Sequence, residues 1–287
     1  NEAFSLLPFQ VNGRLDLNSV LPLSENRVKL LCLSHVNNEL GTVNDPAQII
    51  SALAKGSPQT KLFLDGVQAL GKLKLEKDMW HGLAGYSISG HKIHGPKGIG
   101  LLIYDSRLDL NPQMHGGGQQ FGVRSGTLPL PLILGLETAI KNAVVRTELT
   151  QKHFIGLSQH LVMGLKDLEK KIPELKIRFN SNVDEDWKSQ TPGIVNFSFP
   201  PVEGEVILHH LEAKDIFVGL GSACSAHSRE PSRILMGIGL NQEEARCSLR
   251  VSFSHHNTIF EIDQFLNAFS EAYQILYPTF LHKAEHR

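Results

Sequence analysis

The first hundred residues contain four short apolar runs with the length of buried strands. The runs cover residues 28–33, 61–64, 83–88 and 99–104. Short and nearly continuous apolar runs are typical of strands that are covered on both faces. The pattern therefore predicts four buried strands in this half of the chain.

A helix is predicted between the first two strands. Asp45 suits its N-cap and Pro46 its first position, because the first position needs no backbone N–H. Ile49 and Leu53 lie on one face of this helix, and Gly56 ends it. The order of strand, helix and strand favours an α/β fold with a mostly parallel sheet.

The second half of the chain has a different pattern. Helices are predicted at residues 128–145 and 148–170, and shorter elements follow. They are strand-like runs at residues 193–199, 216–218 and 249–253, with helices at 203–212 and from about residue 259. We predict a larger domain at residues 1–147 and a smaller α+β domain at residues 148–287.

Charge and composition argue against some classes of binding partner. The 287 residues are 41% hydrophobic, and Lys+Arg 28 against Asp+Glu 29 gives a net charge of -1. This balance favours neither nucleic acid nor an anionic membrane surface. No apolar run reaches the roughly 20 residues that span a bilayer, and no basic segment opens the chain. We therefore expect a cytoplasmic protein with neither nucleic acid nor membrane as partner.

The cysteines and histidines show no metal-binding or disulfide pattern. Cys32, Cys224 and Cys247 lack CxxC spacing, and the close pairs among the 14 histidines, such as His209 and His210, repeat no recognised ligand spacing. We expect no metal site. Cys32 is interpreted as a core residue of the first strand, and Cys247 shows no functional signal.

Lys92 lies in a glycine-rich turn directly after the third predicted strand. A lysine among small residues, hydroxyls and imidazoles at a strand end can lose its proton at modest cost, as a Schiff-base lysine must. Asp65 ends the second strand, where open α/β sheets place ligand-binding groups. Taken alone, Lys92 is equally well interpreted as a residue of a glycine-rich turn, and Asp65 is better interpreted as a turn residue or helix cap. Together they are the lysine and aspartate that pyridoxal phosphate chemistry uses.

Cys224 lies in a stretch of small residues at positions 219–228 that predicts a loop. Free cysteines are most often buried and inert. The small and polar neighbours make burial less favoured here, and His227 is placed to help populate the thiolate. Cys224 is therefore a candidate nucleophile.

Five motifs occur in one order along the chain. They are Ser34-His35-Val36-Asn37-Asn38-Glu39-Leu40-Gly41, Asp65-Gly66-Val67-Gln68, Ser89-Gly90-His91-Lys92, Arg124-Ser125-Gly126-Thr127-Leu128-Pro129 and Gly221-Ser222-Ala223-Cys224-Ser225. With them the chain resembles a cysteine desulfurase of the iron-sulfur-assembly type, in the class V aminotransferase group of fold-type I, PLP-dependent transferases. The resemblance runs from about Val11 to the last helix. The family's preceding segment is not in this sequence, so the resemblance implies an N-terminally incomplete large domain.

The resemblance implies roles for the residues around the cofactor, pyridoxal 5'-phosphate. Lys92 holds it covalently, Asp65 pairs with its ring nitrogen and Gln68 with its phenolic oxygen. Ser89 and His91 contact its phosphate side, and His91 is also assigned to catalysis with Lys92. Ser89 and Gln68 have an alternative interpretation as ordinary turn and helix residues.

The resemblance also implies a substrate site and a homodimer. Thr127 resembles the residue that reaches the phosphate bound in the neighbouring subunit. Asn38 is assigned to the cofactor and, with Arg250, to the substrate carboxylate, for which the planar fork of arginine is suited. The alternatives are a turn residue for Asn38 and a strand residue paired with a surface acid for Arg250.

The implied reaction converts L-cysteine to L-alanine. Cys224 takes the sulfur as a persulfide and passes it to a sulfur acceptor protein, either an iron-sulfur scaffold or a thiolation carrier. One alternative is a selenocysteine lyase or a related enzyme with the same cofactor. Another is a catalytically silent interaction subunit, although such a subunit has no chemical reason to keep Lys92, Asp65 and Cys224.

Overall fold

The computed structural model describes residues 4–23, 28–183, 187, 189–221 and 230–285. The chain divides into two compact units, and each is discontinuous in sequence. The parallel-sheet unit comprises Leu17–His35 and Asp45–Glu148. The antiparallel-sheet unit comprises Asn1–Asp16, Val36–Asn44 and Leu149–Arg287. The functional domain boundary between residues 147 and 148 stays a prediction.

The parallel-sheet unit is built on four strands in the order β1-β2-β3-β4. The strands are β1 (Leu30–Ser34), β2 (Lys61–Asp65), β3 (Leu83–Ser89) and β4 (Gly100–Tyr104). The first three strands are parallel, and β4 pairs antiparallel with β3. The predicted α/β class with a mostly parallel sheet is confirmed.

Helix α1 (Pro46–Gly56) connects β1 to β2, has the predicted N-cap and ends at the predicted Gly56, with Ser57 as its C-cap. Asp45 Oδ1 accepts a hydrogen bond from the Ala47 N–H at 2.9 Å, which satisfies one of the unpaired donors of the first turn. Ile49 and Leu53 are buried on the inner face. The helix therefore forms where its sequence signals place it.

Helix α2 (Leu130–Lys171) corrects the prediction of two separate helices. The junction near Thr147 contains neither glycine nor proline, so nothing in the sequence interrupts the backbone hydrogen bonds. Thr147 Oγ1 donates to the Ala143 carbonyl at 2.9 Å, within the helix. The helix consequently runs without a break across the boundary that the sequence analysis placed there.

The antiparallel-sheet unit has three strands in the order β5-β6-β7. They are β5 (Arg178–Phe179), β6 (Ile194–Ser198) and β7 (Ser248–Ser252), with helices α3 (Gly204–Glu212), α4 (Arg233–Gly237), α5 (Gln242–Arg246) and α6 (Ile259–Glu285). The predicted strand at residues 216–218 is wrong. Only a single bridge forms there, between Gly219 and Arg250.

The two faces of this sheet differ in chemistry. Phe197 on β6 and Leu249 on β7 belong to the hydrophobic core that α6 covers. Because side chains alternate along a strand, Asn196 and Arg250 lie on the opposite face, and their Cα positions are paired across the two strands. The core contacts of the neighbouring residues thus set the direction in which Arg250 points.

Two cysteines are described, and one differs from the sequence interpretation. Cys32 is exposed, not a core residue, because β1 alternates and buries Leu31 on its other side. Cys247 is buried directly after α5. Burial, with Glu243 and Glu203 nearby, raises the pKa of its thiol to about 12, so Cys247 stays protonated and unreactive at neutral pH.

Two further features concern the described residues only. None of the helices formed by these residues has the length and apolar character needed to cross a bilayer. No cluster of three or more histidine, cysteine or acidic side chains able to hold a metal ion occurs among them. His209 Nδ1 forms a hydrogen bond with Glu212 Oε2, whereas His210 Nδ1 forms one with the Val206 carbonyl. These two rings therefore point apart.

We predict that Phe269→Ala lowers the free energy of unfolding by about 3–5 kcal/mol. Phe269 is fully buried in α6, and its ring packs edge-on against Phe199 at 5.0 Å and against Phe197 at 5.7 Å between ring centroids. Removal of the ring leaves a cavity in a rigid aromatic cluster. Urea-induced unfolding followed by circular dichroism measures the change.

Phe260→Ala is the matched control, since Phe260 lies on the same helix but is 69% exposed. Its expected effect is within about 0.5 kcal/mol. Similar losses of stability in the two variants would contradict the assignment of this aromatic core.

Candidate active site

The strand register brings Asp65 and Lys92 to the same edge of the parallel sheet. Ser34 on β1 pairs with Asp65 on β2, and Asp65 pairs with Ser87 on β3. A 3₁₀ helix (Gly90–Ile93) begins directly after β3 and carries Lys92. The carboxyl ends of parallel strands are where open α/β sheets bind ligands. The edge therefore combines a carboxylate and an amine at a position suited to a ligand.

One oxygen of the Asp65 carboxylate is held by two hydrogen bonds. Its Oδ1 accepts hydrogen bonds from the Val67 N–H at 2.9 Å and from Ser87 Oγ at 3.4 Å, and the residue is exposed. Gly66 follows with no space for a side chain, because a Cβ there would lie 1.9 Å from the Tyr86 ring. The direction of Asp65 is thus fixed by its own backbone turn and by packing of the next residue.

Tyr86 and His35 form a buried pair behind Asp65. Tyr86 is fully buried and His35 is 4% exposed, with 2.9 Å between Tyr86 Oη and His35 Nδ1. Burial lowers the pKa of His35 to about 4, and Asp45 opposes this only in part. Burial also raises the pKa of Tyr86, with a further contribution from Asp65. Both groups are therefore neutral at physiological pH. No role was predicted for them from the sequence. Polar aromatic residues in or beside an apolar strand are the signal that indicates a buried, hydrogen-bonded pair.

The loop that carries Lys92 has a closely fixed backbone. Gly90 N–H donates to the Ile99 carbonyl at 3.0 Å, and Gly95 N–H donates to the Gly90 carbonyl at 2.8 Å. His94 adopts a left-handed conformation with φ 62°, and Ile93 is buried beneath it. Lys92 itself is exposed. A rigid backbone presents a free amine at the edge.

The other predicted cofactor residues of this unit lie near the same strand ends, except for Thr127, which precedes α2. The Ser89 hydroxyl and His91 Nδ1 are 2.8 Å apart and form a hydrogen bond. Gln68 Oε1 accepts from Lys72 Nζ at 2.6 Å, which leaves the amide NH₂ of Gln68 as a donor. Thr127 is exposed in the segment before α2.

The predicted substrate residues lie in the antiparallel-sheet unit. Asn37 Oδ1 accepts from the N–H groups of Glu39 and Leu40, each at 2.9 Å, so Asn37 is a turn residue. This turn presents the Asn38 carbonyl to Arg250, whose Nη1 donates to it at 2.9 Å. Asn38 and Arg250 are therefore in direct contact through the main chain of Asn38.

Arg250 keeps an unused hydrogen-bond donor. Its Nη1 also donates to the Gly221 carbonyl at 2.6 Å, whereas its Nε is buried without a hydrogen-bond partner among the described residues. Burial lowers the pKa of Arg250, and the nearby Glu39 raises it. Among the described residues no surface acid is paired with Arg250, and the acid that acts on its pKa is buried Glu39. A guanidinium with a free N–H is suited to a carboxylate ligand.

Cys224 lies within residues 222–229, which are outside the described part of the chain. Its assignment as the nucleophile stays a prediction. The residues on either side are described. Two residues there, Glu39 and Ser232, were assigned no role from the sequence. Glu39 and Ser232 form a short hydrogen bond beside Gly221. Glu39 lies within the first of the five motifs. Its acidic side chain in this otherwise neutral segment is the sequence feature that points to a role.

The fold and the sheet edge define the α/β class of fold-type I, PLP-dependent transferases. The family model for class-V aminotransferases matches residues 3–265. The chain therefore belongs to the class-V aminotransferase family, whose members depend on pyridoxal phosphate.

Curated relatives and solved structures support this assignment. The chain is 38% identical over 259 residues to the cysteine desulfurase IscS of Vibrio vulnificus strain YJ016, which covers 88% of this chain and 59% of the relative. A solved NifS-like protein superposes with a TM-score of 0.83 at 27% identity, over 95% of this chain and 68% of its own. DndA from Streptomyces lividans gives a TM-score of 0.67 at 31% identity, over 86% and 67%. The chain thus spans 59% of the length of the Vibrio relative.

The residues at the sheet edge fit pyridoxal phosphate by their chemistry. Asp65 offers an exposed anionic acceptor for a protonated ring nitrogen, and the amide of Gln68 offers a donor for the phenolic oxygen. Ser89 and His91 offer polar groups for the phosphate, and Lys92 offers an exposed amine. All five residues belong to one compact unit and lie at or directly after the ends of β2 and β3.

We predict that buried His35 makes the protein less stable in acid. A histidine in the unfolded chain has a pKa of 6.5, whereas burial lowers the pKa of His35 in the folded protein to about 4. Between these values the unfolded state binds more protons, so the free energy of unfolding falls as the pH drops through this range. The expected loss from this group is about 3 kcal/mol. Urea titrations across this pH range measure it.

His35→Gln removes the titrating group and should flatten this part of the pH profile, even if the variant is less stable throughout. His81→Gln is the control, because His81 is exposed in the same unit. A profile for His35→Gln as steep as those of the wild type and the control would rule out a neutral buried His35.

Proposed function

We propose that the protein is a cysteine desulfurase that uses pyridoxal phosphate. The observation that carries the proposal is the alignment of Asp65 and Lys92 at one edge of the parallel sheet. Relatives named cysteine desulfurase, at 38% identity over 88% of the chain, support L-cysteine as the substrate. Residue roles, substrate and partners are part of this proposal.

Residues of the parallel-sheet unit hold the cofactor. Lys92 Nζ would hold it covalently, the Asp65 carboxylate would accept a hydrogen bond from its ring N–H, and Gln68 would donate to its phenolic oxygen. Ser89 and His91 bind the phosphate side, and their mutual hydrogen bond at 2.8 Å keeps them in one orientation. When bound, pyridoxal phosphate supplies an electron sink for the substrate carbon. The Lys92 amine would be the base that takes the α-proton of the substrate.

Arg250 binds the carboxylate of L-cysteine, assisted by Asn38. The carbonyls of Asn38 and Gly221 hold Nη1 of Arg250, which keeps the guanidinium plane in place. A guanidinium has five N–H donors, and those that the two carbonyls do not use are the donors proposed for the carboxylate. A fixed, partly desolvated guanidinium binds an anion more strongly than a solvated one.

The thiolate of Cys224 accepts the sulfur. The carbon–sulfur bond of L-cysteine breaks, a sulfur–sulfur bond forms on Cys224, and protons complete L-alanine at the carbon. One thiol and one L-cysteine thereby give one persulfide and one L-alanine, so atoms and electrons balance without an oxidant. A second thiol then releases the sulfur, or an acceptor protein takes it for iron-sulfur cluster assembly or thiolation.

The proposal also includes the assembly and the location of the enzyme. Thr127 is exposed before α2, where it is available to a phosphate bound in a second copy of the chain. We therefore propose a homodimer. The near-neutral net charge of -1 supports a cytoplasmic enzyme that binds neither nucleic acid nor membrane.

The test compares two single thiol replacements in the full-length protein supplied with pyridoxal phosphate. Cys224→Ser should lower alanine release from L-cysteine at least about a hundredfold, because it removes the attacking group. Cys32→Ser removes an exposed thiol that has no assigned role and should retain the wild-type rate. Alanine and sulfide are measured together in the presence of dithiothreitol, and equimolar amounts are expected.

Alanine release by Cys224→Ser at the wild-type rate would contradict the persulfide mechanism and favour a selenocysteine lyase or related enzyme. A cofactor-loaded wild-type protein that releases no alanine would contradict the enzyme assignment and favour a silent interaction subunit.

A further inference from the structure

Glu39 is a buried carboxylate to which the proposed mechanism gives no role. It is 4% exposed. Burial raises its pKa, whereas a hydrogen bond from Ser232 and the charge of Arg250 lower it. A buried acid is retained at a cost in stability unless its partners compensate for the lost solvation. The position of these partners indicates what the carboxylate does.

The backbone around Glu39 is held on both sides. The Asn37 side chain accepts the N–H groups of Glu39 and Leu40 at 2.9 Å each. Leu40 is fully buried in a cluster with Leu235 and Ile238. Since the residues before and after it are anchored, Glu39 has little freedom to turn its side chain elsewhere.

The carboxylate of Glu39 contacts both flanks of the segment that contains Cys224. Ser232 Oγ donates to Glu39 Oε2 at 2.5 Å, and the same Oγ accepts the Leu235 N–H as the N-cap of α4. On the other flank, a Cβ added to Gly221 would lie 2.7 Å from Glu39 Oε2. Gly221 precedes residues 222–229 in the sequence and Ser232 follows them. One carboxylate is therefore hydrogen-bonded to the C-terminal flank and packed closely against the N-terminal flank.

Arg250 joins the same cluster from β7. Its Nη1 donates to the carbonyls of Gly221 at 2.6 Å and of Asn38 at 2.9 Å. The charges of Glu39 and Arg250 attract each other. Carbonyl groups offset the desolvation of a guanidinium only in part, so a nearby anion favours this placement of Arg250.

We propose that Glu39 is a positioning residue that fixes both flanks of the Cys224 segment and holds Arg250 in its carboxylate-binding orientation. The proposal rests on the roles proposed above for Cys224 and Arg250. Ser232 is the hydroxyl through which Glu39 acts on the C-terminal flank. The charge of Glu39, and not only its shape, matters for Arg250.

The experiment uses four variants of the full-length holoenzyme. Glu39→Gln keeps the shape and removes the charge, Ser232→Ala removes the hydroxyl, and Ser232→Thr retains it. Glu230→Gln is the matched control, because Glu230 is exposed on the same flank. We measure kcat and KM for L-cysteine, the cofactor absorbance band, and hydrogen exchange of peptides that contain residues 217–221 and 231–236.

We expect Ser232→Ala to lower kcat about tenfold with little change in KM, since a hydrogen bond to a charged group contributes about 1.5 kcal/mol. Ser232→Thr should regain most of that loss. Glu39→Gln should lower kcat and also raise KM several-fold, because Arg250 loses its counter-charge. Hydrogen exchange should accelerate at both flanks in Glu39→Gln and Ser232→Ala, with an unchanged cofactor band. Glu230→Gln should match the wild type in every measurement.

Wild-type kcat, KM and hydrogen exchange in Glu39→Gln would overturn the proposal, as would failure of Ser232→Thr to restore what Ser232→Ala loses. The exchange measurement does not depend on catalysis. If the wild type releases no alanine, the desulfurase assignment fails, and flank exchange in Glu39→Gln still decides whether the carboxylate holds the two ends.

Discussion

The parallel pairing of β1, β2 and β3 is the constraint on which the proposed cofactor site in the parallel-sheet unit depends. The register that sets Ser34, Asp65 and Ser87 side by side places the ends of the three strands at one edge. The carboxylate therefore comes from the end of one strand and the lysine from the turn after the next. Neither side chain needs a long loop to reach this edge, because the backbone hydrogen bonds of the sheet already determine where each strand ends.

The substrate residues depend on a second constraint, the alternation of side chains along β7. Leu249 and Val251 enter the hydrophobic core, so Arg250 must face the polar side of the sheet. There it is held by main-chain carbonyls and by the charge of Glu39. Backbone carbonyls position the guanidinium without adding charge, so Glu39 is the acidic group that acts on it. Each unit thus uses regular backbone structure to orient a few chemically active side chains.

Much of the fold was predictable from local signals, whereas long-range contacts were not. Asp45 and Pro46 begin α1 as their conformational preferences require, and the helix ends at Gly56. The continuity of α2 was missed because Thr147 is only a weak helix former, and no local rule shows that packing overrides this weakness. Motifs indicated Lys92 and Asp65, yet the contact of Glu39 with Ser232 joins residues far apart in sequence. The exposure of Cys32 depends on which side of β1 is covered, and an apolar run does not reveal that.

Chemical trapping of the cofactor tests the central claim, that Lys92 at this sheet edge holds pyridoxal phosphate, most directly. The full-length protein, loaded with pyridoxal phosphate, is treated with sodium borohydride, which fixes the cofactor to the lysine that binds it. Peptide mass spectrometry then locates the added mass. We predict one modified site, at Lys92, and no modification of Lys97, which is exposed in the same loop. Modification at another lysine, or none in a protein saturated with the cofactor, would contradict the account.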